Sequence, residues 1–119
     1  MTLSVALLRW HPVQTITLHI LQAHGTVFRF PRVWPHEAMV DLMLFDNSDE
    51  LHPHGLIACT GQKAGLILAL LPPESGHPDL RGVRAEWLVS EWTHWIYPEC
   101  PVGKVQVLRR YVAPIPGEM

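Results

Sequence analysis

The chain reads as short apolar runs cut apart by prolines. Residues 15–21 alternate Ile16, Leu18 and Ile20 against Thr15, Thr17 and His19. Alternation with β-branched residues predicts a strand there, a short helix being the alternative. Residues 26–30 follow Gly25 and predict a second strand, and residues 38–45 a third. In the third, Ala38, Val40, Leu42 and Leu44 form the apolar face and Asp41 falls on the other. Residues 56–60 and 66–71 flank Gly61-Gln62-Lys63-Ala64-Gly65, the pattern of two strands joined by a glycine-bounded turn. Residues 104–112 predict a last strand. Prolines 31, 35, 53, 72, 73, 78, 98 and 101 lie between or at the ends of these runs, where a missing N–H does least harm.

One segment has the other period. Trp87, Leu88, Trp92, Trp95 and Ile96 make one stripe on a helix over about residues 84–97, which Pro98 ends. Three tryptophans bury on the order of 150–250 Å² each, enough to dock that helix across a sheet. The predicted fold class is therefore α+β: an antiparallel-rich sheet of five to six strands with one main helix packed on it.

A length of 119 residues fits one domain, expected over residues 1–112, with residues 113–119 as a loose tail carrying Pro114, Pro116 and Gly117. The chain is 48% hydrophobic and 17% charged, a balance that supports a packed core. Its net charge of −2 argues against a partner recognised through phosphates alone. Arg109-Arg110 is the one adjacent basic pair, and alternation sends the two to opposite faces. No run approaches the roughly 20 apolar residues of a membrane span, and residues 1–8 have no basic lead-in of a secretory signal. Two cysteines, Cys59 and Cys100, are too few for a disulfide scaffold. The expected location is the cytoplasm.

Candidate chemistry is sparse. His52 and His54, downstream of Asp46, Asp49 and Glu50, allow a metal reading. Pro53 between them and the lack of a paired ligand motif favour a solvated loop. Cys59 lies in an apolar run and reads as a packing residue, while Cys100 between Glu99 and Pro101 reads as exposed. The turn at 61–65 lacks the spacing of a phosphate loop, and its glycines are read as positive-φ turn residues with Gln62 and Lys63 as an exposed tip. Glu91 falls in the tryptophan sector and needs a partner, for which Arg81 and Arg84 are near, or else a contact outside the chain. Asp46-Asn47-Ser48-Asp49-Glu50 is either a solvated loop or an anionic patch for a basic surface. No cofactor, metal set or catalytic constellation is expected.

Three stretches, taken in order, resemble a known family. They are Phe30-Pro31-Arg32-Val33-Trp34-Pro35-His36-Glu37-Ala38-Met39-Val40-Asp41, then Thr60-Gly61-Gln62-Lys63-Ala64-Gly65-Leu66, then Glu86-Trp87-Leu88 through Trp92 to Trp95-Ile96-Tyr97-Pro98. Over about residues 25–107 they are similar to the immunity protein 45 family of bacterial polymorphic toxin systems. The resemblance implies a non-enzymatic protector. Such a protein binds a cognate toxin, for example a type VI secretion effector and in many systems a nuclease, and blocks it one to one. The candidate partner contacts are Trp34, Glu37, Asp41, Asp46, Asp49, Glu50, Gln62 and Lys63, with Trp10 as a further aromatic anchor. Trp34 is read either as exposed or as covering the core edge. The competing readings are a small cytosolic hydrolase built on Cys59 or a His52/His54 metal site, and a nucleic-acid-binding module.

Overall fold

The structure, a computed structural model, describes residues 10–13, 21–32 and 38–109. The expected strand over 15–21, apart from its last residue, and the tail 113–119 lie outside the described residues, as do Trp34, Glu37 and Arg110.

The alternating runs form strands as expected. In chain order they are β1 (His11–Pro12), β2 (Leu21–Gln22), β3 (Val27–Pro31), β4 (Met39–Asp46), β5 (His54–Ala58), β6 (Ile67–Leu71), β7 (Val83–Arg84) and β8 (Gln106–Leu108). Six of them build one sheet in the order β1-β8-β3-β4-β5-β6, with every neighbouring pair antiparallel. β2 and β7 pair separately as a small ribbon. The fold is α+β, with the helix expected from the tryptophan stripe.

Alternation sorts the side chains. Phe28 and Phe30 on β3, Val40, Leu42 and Leu44 on β4, Leu56 and Ala58 on β5 and Val107 on β8 point to one face and are buried. That face is closed by α1 (Ala85–Glu91) and the single wide π turn that continues it, Trp92–Ile96. Trp92 is fully buried, with its ring 5.7 Å from that of Phe28 and 5.8 Å from that of Phe30. Tyr97 stacks on Phe30 at 4.5 Å.

The π turn corrects the predicted stripe. The Tyr97 N–H donates to the Trp92 carbonyl at 2.9 Å, a spacing of five rather than four. Five residues in the turn keep Ile96 beneath Trp92 and swing Trp95 away, so Trp95 is 40% exposed rather than buried. It leans instead on Trp87, with ring centroids 6.1 Å apart.

The turn between β5 and β6 follows the sequence reading. Gly61 and Gly65 have φ of 68° and 91°, the left-handed region that a Cβ disfavours. Gly55 on β5 has a different reason to be glycine. A Cβ there would lie 2.5 Å from Phe45 Cζ, so the Phe45 ring lies directly over the bare backbone.

Candidate partner-binding surface

The face of the sheet opposite the helix carries side chains that lie outside the helix-side core. Cross-strand register sets its rows. Leu108, Val27, Met43, Ile57 and Ile67 run in one line across five strands. Phe45, Gly55 and Leu70 make a second apolar row beside it. The β5–β6 pairing shifts register between Leu56 and Ile57, so Ile67 and Leu70, three apart, both face outward. Ile67 is 54% exposed, and Met39 on β4 is 49% exposed. The margins of the face are exposed at Ile67, Leu70 and Met39; Met43, Phe45 and Ile57 are half-buried, and Val27 is buried, so the apolar surface open to solvent lies on the β4–β6 side.

On the other side of the long row, the face carries one ion pair. Arg29 donates to both carboxylate oxygens of Asp41, Nε to Oδ1 at 2.8 Å and a terminal nitrogen to Oδ2 at 2.9 Å. The two residues are direct cross-strand partners, so their backbones hold the fork in register. Trp10 lies over the guanidinium at 4.2 Å. The Asp41 N–H donates to Thr60 Oγ1 at 3.1 Å, which ties the pair to the start of the β5–β6 turn. The hydrogen bonds from Arg29 to Asp41 push the arginine pKa further up, overriding the effect of partial burial. A cleft of about 400 Å³ opens beside it, lined by Pro12, Arg29, Met39, Lys104 and Gln106 among others.

The predicted contacts divide between two ends of the sheet. Asp46 ends β4 with the parity of Val40, Leu42 and Leu44, the helix side, Asp49 and Glu50 lie in the β4–β5 loop, and Gln62 and Lys63 lie in the turn after β5. Asp41 belongs with the second group through Thr60. The two groups are a strand length apart.

At the β4–β5 end, Asp46 is tied down rather than free. It pairs with Arg81 and accepts from the Ser48 N–H at 2.9 Å. The Ser48 bond first, and Arg81 second, hold its carboxyl below the usual range. Asp49 faces His52 at 3.8 Å, and Asn47 Nδ2 donates to the His52 carbonyl at 2.9 Å. Asp46, Asp49, Glu50, Glu74 and Asp79 outnumber Arg81 and Arg84 there, so this end is acidic. The opposite end carries Lys63, Lys104 and Arg32, with Arg32 facing Glu99 at 3.8 Å.

Sequence reasoning missed a histidine pair. His24, in the turn before β3, and His54, at the head of β5, share a hydrogen bond of 2.9 Å between His24 Nε2 and His54 Nδ1. Burial pushes both pKa values down, and in His54 the neighbouring His24 charge adds to it. No sequence signal joins residues thirty apart. Arg29 was legible in principle, as the polar residue between Phe28 and Phe30 in register with Asp41.

Three expectations are corrected. Cys59 is exposed and Cys100 is buried, the reverse of the sequence reading. Cys59 follows the alternation of Gly55 and Ile57 and therefore faces outward, whereas Cys100 tucks under the turn that its N–H closes on the Tyr97 carbonyl at 3.4 Å. Glu91 forms no ion pair among the described residues. Arg81 is engaged by Asp46, and Arg84 donates to the Glu74 carbonyl at 3.0 Å. Among the described residues the side chains of the enzyme readings do not converge. Cys59 sits at one end of β5 and His54 at the other, and the Cys59 thiol pKa is pushed up by burial and then by the Asp41 charge. Among the described residues no three His, Cys, Asp or Glu side chains group as metal ligands, and no helix is long and apolar enough to cross a membrane.

The described residues form an antiparallel sheet packed on one side by a tryptophan helix and carrying apolar rows and one ion pair on the other. The chain matches the family described as immunity protein 45 over residues 14–107, and it belongs to that family. No curated protein and no solved structure matches it.

Proposed function

We propose that this protein acts in the cytoplasm as an immunity protein that binds a cognate secreted toxin, one to one, and blocks it without catalysis. The family supplies the role, and the observation that carries the binding surface is the sheet face opposite the helix. Its centre is apolar, through Met43, Phe45, Ile57 and Leu70, and its borders are polar, which is the anatomy of a protein–protein interface. A standard interface takes about 800 Å² from each partner, wide enough to cover the face from Asp41 to the β4–β5 loop.

Charge sets the orientation. Asp46, Asp49 and Glu50 meet a basic patch on the toxin, such as the phosphate-binding residues of a nuclease effector delivered by type VI secretion. Asp41 and Gln62 lie at the other margin. The cleft beside Arg29 receives an anchor side chain from the toxin. Trp34 and Glu37, which lie outside the described residues, are carried as further contacts.

The test is calorimetry and growth rescue against the product of the adjacent gene. The expected result is a one-to-one complex of nanomolar or tighter affinity and protection of the producing cell. Absence of both rejects the proposal.

A further inference from the structure

The two edges of the sheet are treated differently. β1 is two residues long and contains Pro12, a short edge with a missing donor. β6 forms the other edge and, among the described residues, pairs only with β5. From Leu66 to Leu71 it holds no charge and no proline, and Leu66 and Ile67 are 60% and 54% exposed. Among the described residues its one irregularity is the register shift opposite Leu56 and Ile57. A charge-free apolar edge of this kind is a template for another strand.

The flanks say which strand. Lys63 stands four residues before Ile67, and Glu74 three residues after Leu71. Both are exposed, and neither has an ion-pair partner within the chain among the described residues. We infer that β6 pairs antiparallel with β6 of a second copy of this chain. The sheets then join across a two-fold axis, and Lys63 of each copy comes beside Glu74 of the other. The contact is isologous: one apolar strand meets itself, and each unpaired charge finds its opposite. The axis stands perpendicular to the sheet, so both outer faces point the same way and stay free. Ile67 and Leu70 also border the proposed toxin-binding face, so assembly is measured on the chain without toxin.

Sedimentation of the full chain over a range of micromolar concentrations tests it. A dimer is expected, converted to monomer by Ile67→Lys with unchanged circular dichroism. Lys63→Glu weakens the dimer at least about tenfold by setting like charges together at both ends. Adding Glu74→Lys to Lys63→Glu restores it. A monomer at every concentration, a dimer that survives Ile67→Lys, or a double charge reversal that fails to restore assembly overturns the inference.

Discussion

Along β4, Val40, Leu42 and Leu44 turn inward into one core with Trp92, while Met39, Asp41, Met43 and Phe45 turn outward and lie outside that core. The inward residues are uniformly apolar and nearly inaccessible. The outward ones mix apolar side chains with one forked ion pair. Solvent does not account for the outer face, since a merely solvated face would be polar throughout. The difference teaches that the inner face bears most of the stability, and it is the outer face to which we assign the proposed recognition. Substitutions on the two faces therefore separate folding from binding.

The largest effect is expected on the inner face. Trp92→Ala removes the ring that meets Phe28 and Phe30 and costs about 3–5 kcal/mol in urea unfolding. Trp92→Phe costs much less, because it keeps an aromatic ring and removes an indole N–H that is buried without a hydrogen-bond partner. Equal losses for the two variants would mean that the ring contacts are not what holds the helix down.

Next comes the ion pair. Arg29→Ala leaves the Asp41 carboxylate, only 14% exposed, without its fork and costs about 1–2 kcal/mol. A cycle with Asp41→Ala is expected to show coupling of at least about 0.5 kcal/mol. Additive losses would make the pair incidental.

The histidine pair gives a pH dependence. Both groups have folded-state pKa values below the ordinary 6.5, so the unfolded chain binds protons more readily. Stability is therefore full above pH 6.5 and is lost as the pH falls below it. The unfolding midpoint is expected to drop between pH 7 and pH 5, and His24→Gln with His54→Gln to flatten that slope. A midpoint rising toward pH 5 would show that the pair is stabilised as imidazolium.

The smallest stability effects belong to the outer margin. Met39→Lys, Asp49→Lys and Glu50→Lys are each expected within about 0.5 kcal/mol of the parent, since none removes a buried contact.

Much of this architecture was legible. Period-two alternation placed β4, whose inner face is sealed, Gly25 marked the start of β3, and the glycines at 61 and 65 marked the turn that separates β5 from β6. Trp95 was misplaced because a π turn obeys no helical wheel, and nothing in Trp92-Thr93-His94-Trp95-Ile96 announces it; Glu91 lacks the expected partner because Arg81 and Arg84 are engaged by Asp46 and the Glu74 carbonyl. Cys59 was misread because hydrophobicity was weighed there without parity, although Ile57 already pointed outward. The binding face was the least legible part. Asp41, Asp46 and Lys63 were chosen by residue type, and only the register of β3, β4 and β5 shows that apolar rows lie between them.

The most direct test of the recognition surface is calorimetric titration of the adjacent gene product into the parent protein and into a Met39→Lys/Asp49→Lys/Glu50→Lys variant of matched unfolding midpoint. Nanomolar binding to the parent, with affinity reduced by at least about a hundredfold in the variant, is the predicted result, because three charges then stand wrongly in one interface. Equal affinity for both proteins would contradict the account and move the toxin to another surface.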